Sequence, residues 1–206
     1  MLDVTHLIES GGLLLIGIIL FAETGLLVGF FLPGDTLLLS AGVFAAQGKL
    51  TLAWVLVVTI LASILGNVAG YQIGKKGGKH VFNKSDGLLF RREYIVRAEK
   101  FYKDHGGKTI LFARFIPIVR TFAAVVAGIA QMNFGIFMGF NILGGILWGG
   151  GLTMLGYWFG SRIPNIDHYV LPVVLLAMSV SLAPMLYHLS KNLIESYKKS
   201  HSKNKD

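Results

Sequence analysis

The sequence has no cysteine among its 206 residues, which excludes disulfides, thiolate metal sites and cysteine nucleophiles. It is also short of charge. Asp, Glu, Lys and Arg make up 15% of the chain against a hydrophobic share of 53%, and the mean hydropathy is +0.62. A soluble domain of this length needs far more polar surface, so the composition points to a membrane protein. Residues 1–10 include Asp3 and Glu9 but no Lys or Arg. A secretory signal opens with a positive stretch, so no cleaved leader is expected here. The six histidines (His6, His80, His105, His168, His188 and His201) form neither an H-E-x-x-H pair nor a metal cluster in sequence. No metal, cofactor or nucleic acid is implied. The net charge of +8 lies beside apolar runs, where anionic lipid is the expected neighbour.

What the chain does have is long apolar runs. Leu52–Gly74 holds 23 residues, about 34 Å as a helix and enough to cross a bilayer. Phe134–Gly160 is a second such run, and Tyr169–Leu189, bent by Pro172 and Pro184, a third. Two others are irregular. Residues 13–46 are too long for one helix and are cut by Pro33, Gly34 and Asp35, while residues 109–130 contain Arg114, Pro117 and Arg120.

Positive charge predicts the orientation. Of 19 Lys and Arg residues, ten fall from Lys75 to Lys108 and five from Lys191 to Lys205, so both stretches are expected in the cytoplasm. An even number of crossings must separate them, yet three apolar segments do. The segment carrying charges and a proline, 109–130, is the one expected not to span, because irregular backbone at membrane depth requires shielding. It reads as a re-entrant hairpin. Residues 13–46 have the same form, opening to the opposite side. The alternative for that stretch is a spanning helix over 13–32 followed by a buried half-helix.

An internal repeat supports this reading. Phe31-Leu32-Pro33 with Thr36 matches Phe115-Ile116-Pro117 with Thr121. Ala41-Gly42 matches Ala127-Gly128, and Gly70-Tyr71 with Gly74 matches Gly156-Tyr157 with Gly160, at offsets of 84 to 86 residues. Two broken segments, each followed by a full span and inserted from opposite sides, make an inverted repeat of the kind that builds transporter sites near the midplane. The expected fold is therefore an all-α polytopic membrane protein with two opposed re-entrant hairpins and about three full transmembrane helices. Residues 1–190 form a single transmembrane domain. Within it, 10–74 is the first repeat with hairpin 13–46, 75–108 a basic cytoplasmic segment, 109–161 the second repeat with hairpin 109–130, and 169–190 a last helix. Residues 191–206 form a basic tail. Arg91–Asp104 reads as an amphipathic surface helix with Tyr94, Ile95, Ala98, Phe101 and Tyr102 on one face.

Four ionisable residues stand inside apolar blocks: Glu23, Asp35, Arg114 and Arg120. A charge at the bilayer centre costs roughly 2.5–3.5 kcal/mol, so four unpaired ones would cost on the order of 10 kcal/mol. The two acids fall in the first hairpin and the two bases in the second, so facing hairpins let them neutralise one another. A purely structural pair of salt bridges accounts for the four, but buried ion pairs are a poor source of stability. The functional reading gives Arg114 and Arg120, on either side of Pro117, the task of holding a phosphate through their planar forks, helped by N–H groups of the unwound backbone. Glu23 is the natural proton carrier, with Asp35 sharing its proton or releasing Arg120. Asp35 also suits a capping role at a helix starting near Thr36. Pro33, Gly34 and Pro117 break the hairpins. The glycines at 144–145 and 149–151 predict close helix contact, and Asn67, Asn141 and Trp148 predict interhelical hydrogen bonds.

Taken in order, Phe21-Ala22-Glu23-Thr24-Gly25, Phe31-Leu32-Pro33-Gly34-Asp35-Thr36, Gly66-Asn67 with Gly70-Tyr71 and Gly74, and Phe112-x-Arg114-Phe115-Ile116-Pro117-x-x-Arg120-Thr121 with Ala127-Gly128 resemble the bacterial DedA family. The resemblance covers about residues 10–162. It implies a bacterial plasma-membrane protein related to lipid scramblases of the SNARE-associated, or VTT-domain, group. It further implies movement of undecaprenyl phosphate or phospholipid, a part in envelope integrity and proton-motive-force homeostasis, and important acids and arginines at Glu23, Asp35, Arg114 and Arg120. Asn67 departs from the pattern, since many relatives carry Asp there. The expected partners are membrane lipids with an anionic phosphate head group and protons or sodium, and a homo-oligomer is compatible with the sequence. The rival reading is a proton- or sodium-coupled ion transporter or antiporter. An enzyme is not expected, because no nucleophile with its base and no metal set is visible.

Overall fold

The computed structural model describes residues 4–26, 34–81, 100, 102 and 106–163, and the regular elements among them are all helical. In order they are α1 (Val4–Gly25), α2 (Gly34–Ala46), α3 (Leu52–Val81), α4 (Lys108–Ala113), α5 (Pro117–Ile129), α6 (Phe134–Gly145), a π-helical turn (Ile146–Gly150) and α7 (Gly151–Arg162). The last three run on as one rod. Leu52–Gly77 and Phe134–Arg162 are long and apolar enough to cross a membrane by length and composition.

The burial pattern is that of a protein solvated by hydrocarbon. Trp54, Val57, Leu61, Leu65 and Ile73 of α3 are exposed, whereas Thr59, Ser63, Asn67 and Tyr71, spaced four apart, are buried. Helical periodicity puts those four on one stripe facing inward. On the second rod Ile142, Leu143, Ile146, Leu147 and Trp158 are exposed while Asn141, Trp148 and Thr153 are buried. Inward polar groups are satisfied locally or across the interface. Ser63 Oγ donates to Ile60 O at 2.9 Å, Thr153 Oγ1 to Gly149 O at 2.7 Å, and Asn67 and Asn141 meet side chain to side chain.

The short helices pack crosswise between the two halves. α2 lies on α7, and α5 lies on α3. Glycine permits this closeness at matching places. A side chain at Gly42 would strike the backbone of Thr153 and Tyr157, and one at Gly128 the backbone of Tyr71 and Lys75. In return, Gly156 faces Leu39 and Gly70 faces Val125. Four pairs of residues in these contacts stand 86 positions apart: Gly42 and Gly128, Gly70 and Gly156, Tyr71 and Tyr157, Leu39 and Val125.

Two apolar clusters result. One gathers Ile16, Leu20, Leu38, Ala41, Val55, Ala62 and Trp148, and the other Tyr71, Ile110, Ala124, Ala127, Met132 and Phe137. Along α3 the contacts change from the first cluster (Val55, Ala62) to the second (Val68, Tyr71), and Ser63 and Asn67 fall at the changeover. These two residues flank the middle of Leu52–Gly77, and Trp148 stands at the middle of Phe134–Arg162. The polar groups therefore concentrate halfway along both rods.

The break at 109–130 is where the sequence places it. Ile116 is extended (φ −112°, ψ 107°) before Pro117, which opens α5; a residue preceding proline is driven out of the helical region, and proline suits the first helical position. In the first half, α1 covers Val4–Gly25, and α2 starts at Gly34 rather than Thr36. Gly25 abuts the backbone of Gly66, so packing on α3, not loss of hydrophobicity, accompanies the end of that helix. Pro33, the helix expected at 169–190, the tail 191–206 and most of 91–104 lie outside the described residues. From the last of these Tyr102 is described. It is buried and donates to Ala123 O of α5 at 2.9 Å.

Candidate functional site

The end of α1 carries Glu23. Thr24 Oγ1 donates back to Leu20 O at 2.8 Å, and Gly66 of α3 accepts the close approach of Thr24, where any side chain would collide with its hydroxyl. This contact aims Glu23 inward, at 2% exposure. Its carboxylate rests against the first turn of α2, where a Cβ on Gly34 would land on the carboxylate itself. Gly34 therefore provides clearance for a buried acid as well as opening the helix.

The first turn of α5 carries Arg120, and its guanidinium joins the halves. Nη2 donates to Glu23 Oε1 and Nη1 donates to Asp35 Oδ1 at 2.5 Å. The same Asp35 oxygen accepts from Trp148 Nε1 at 2.9 Å, and the Arg120 guanidinium lies over the Trp148 ring, 4.8 Å from its centroid. The π-helical turn at 146–150 contains Trp148. A π turn shifts the register of every side chain beyond it, and here it stands at the point where the rod meets Asp35. The three charged side chains differ in access: Glu23 is sealed, Arg120 is 12% exposed, and Asp35 is 44% exposed.

Arg114, in the turn after α4, has different company. It is 3% exposed and faces neutral acceptors. Its Nη2 donates to Asn141 Oδ1 at 2.5 Å and reaches Asn141 O and Ser63 O, each at 3.4 Å. With its oxygen turned to the guanidinium, the Asn67 carboxamide accepts from Nη2 at 2.9 Å and donates to Thr24 O at 3.1 Å. Arg114 Nε has no hydrogen-bond partner among the described residues and lies where Gly144 leaves room for it. No carboxylate of the described residues pairs with Arg114.

All four charges from the sequence are thus near the middle of the molecule, but they do not pair two by two. Arg120 takes both acids, and Arg114 is held by amides. Before Pro117 the backbone N–H groups are taken within their own turns. Arg114, Phe115 and Ile116 donate to Leu111, Phe112 and Ala113 carbonyls, because the chain tightens into successive i→i+3 turns. Asp35 lies inside the first turn of α2 and spends Oδ1 on Arg120 and Trp148. Asn67 and Asn141 are joined across the helices by Arg114 Nη2, which both carboxamide oxygens accept from. Trp148 makes the interhelical hydrogen bond expected of it; that its acceptor belongs to the charged cluster is not legible in the sequence. The run of five glycines around it was the available signal for an irregular turn.

A family model described as the VTT domain matches residues 32–158. The chain is 41% identical to protein DedA of Escherichia coli (strain K12) over 169 residues, 81% of this chain and 77% of that protein. It is 39% identical to an uncharacterized membrane protein of Mycobacterium leprae (strain TN) over 170 residues, 82% and 75% of the two chains. With the inner membrane protein YqjA of Escherichia coli (strain K12) it shares 32% identity over 184 residues, 89% and 83% of the two. No solved structure matches.

Proposed function

The chain belongs to the DedA family of VTT-domain membrane proteins, and on that premise we propose that it moves a lipid with an anionic phosphate head group across the bacterial plasma membrane, linked to protons. The lipid is undecaprenyl phosphate or a phospholipid. The observation that supports this most is the sharing of one mid-molecule guanidinium by two carboxylates. Arg120 offers a fork that suits phosphate oxygens, and the fork is already filled by acids that a phosphate resembles. Two acids on one base leave an excess negative charge beside it. Protonation of Glu23 or Asp35 removes that excess and frees a donor for the head group. Arg114, cationic and without an acid, supplies the positive charge that balances the cluster as a whole and attracts the anion toward it.

In the same reading residues 13–46 and 109–130 are re-entrant hairpins inserted from opposite sides, related as an inverted repeat. The exchanged packing of α2 on α7 and α5 on α3 agrees with that arrangement. The basic stretches 75–108 and 191–206 face the cytoplasm, and the last helix, 169–190, completes a multi-pass chain. Transport is non-covalent, so the protein is no enzyme; it uses no cofactor, and self-association is compatible with it.

The alternative is a proton- or sodium-coupled ion transporter. The paired carboxylates of Glu23 and Asp35 favour it, since they would serve a cation equally well. Leaflet-to-leaflet movement of a polyprenyl phosphate in liposomes, with and without a pH gradient, separates the two. Lipid movement supports the proposal; ion flux without movement of that lipid or of common phospholipids supports the alternative.

A further inference from the structure

Asp35 Oδ1 occupies a small anion receptor. Two donors from different elements converge on it, Arg120 Nη1 at 2.5 Å and Trp148 Nε1 at 2.9 Å, and the Trp148 ring beneath the guanidinium keeps water from that side. A charged fork and a neutral N–H aimed at one oxygen are the donors that a phosphate oxygen calls for. The acids on Arg120 are unequal. Glu23 is sealed beneath Gly34, whereas Asp35 is 44% exposed and sits at the start of its helix. Only Asp35 has open space to withdraw into.

We propose that Asp35 is a built-in stand-in for the phosphate head group, and that Trp148 Nε1 and Arg120 Nη1 form the subsite a head-group oxygen enters when Asp35 withdraws. The inference rests on the reading of Arg120 as the head-group ligand and adds a ligand, Trp148, and a competitor, Asp35. Resting occupancy by Asp35 spares a buried cation and a buried N–H from standing unpaired. The ligand class is a phosphate monoester or diester oxygen, of a lipid or of free phosphate.

The test is isothermal titration of the purified full chain in detergent micelles with hexyl phosphate and, in parallel, inorganic phosphate. Removing the competitor in D35N should tighten binding about ten-fold or more, and removing the N–H donor in W148F, which keeps a ring under the guanidinium, should weaken it about ten-fold. The double variant should show the W148F loss on the D35N background. D35S serves as a second competitor-free variant, and thermal unfolding confirms that each protein is folded. A chain left with Trp148 as its sole tryptophan, by W54F and W158F, should change its emission when hexyl phosphate binds. Tighter binding of hexyl phosphate than of inorganic phosphate identifies a lipid as the source, and equal binding a free phosphate.

Three results would overturn the inference. Binding that is no tighter in D35N and D35S removes Asp35 as a competitor. Tighter binding in W148F means that Trp148 only holds Asp35 in place. Unchanged emission from Trp148 on binding means that the ligand sits elsewhere. In each case wild-type binding persists and the proposed function stands; absence of binding in every variant overturns both.

Discussion

Asp35 and Arg120 meet across the two halves of the chain, Oδ1 to Nη1 at 2.5 Å. Each immediately precedes a threonine, Thr36 and Thr121, in the first turn of its short helix, and the two positions are 85 residues apart in a sequence that repeats at that spacing. The first turns of two short helices thus carry opposite charges and pair with each other. An ion pair placed this way joins α2 to α5.

Losing Arg120 leaves two carboxylates together, one of them sealed. R120A should lower stability by about 3–5 kcal/mol, the range for removing one partner of a buried pair. Neutralising the sealed acid should recover a large part of that loss. A thermal-unfolding cycle of R120A, E23Q and the double variant checks this, with a favourable coupling between the two changes as the expected outcome.

Arg114 depends on amide acceptors, not on an acid. N141L removes its 2.5 Å partner and leaves the guanidinium short of acceptors, for an expected loss of about 2–3 kcal/mol. N67D keeps an acceptor at the 2.9 Å position and should fold normally. Unfolding midpoints of the two variants, compared with wild type, test the assignment.

The exchanged packing of the halves predicts paired sensitivities. G42A and G128A each drive a methyl into the backbone of the opposite rod and should destabilise by about 1–3 kcal/mol. G151A meets nothing within 4 Å and should be neutral or mildly stabilising, by up to ~1 kcal/mol. Equal losses at Gly42 and Gly128, with none at Gly151, are the expected result in a thermal-shift series.

Much of this was legible in the sequence because charge inside an apolar run is expensive wherever the chain folds. That cost alone singled out Glu23, Asp35, Arg114 and Arg120, and three of them meet in one cluster. Pairing was not legible. Two acids and two bases suggest two bridges, but one planar fork can hold both acids, and only geometry decides that Arg120 does so. The partners of Arg114 were disguised as ordinary interhelical asparagines. Trp148 reaches Asp35 from within a π-helical turn, a register change that apolar periodicity does not announce. Nor does the sequence announce that Gly25 lies against Gly66, 41 residues away.

In the proposed function Arg120 handles a lipid phosphate. The most direct measurement is the rate at which undecaprenyl phosphate changes leaflets in liposomes containing wild-type, R120A or E23Q protein, with and without a pH gradient. The account predicts protein-dependent movement that responds to the gradient in wild type and falls to the protein-free rate in R120A, with the response to pH lost in E23Q. Movement at the wild-type rate by folded R120A would contradict it.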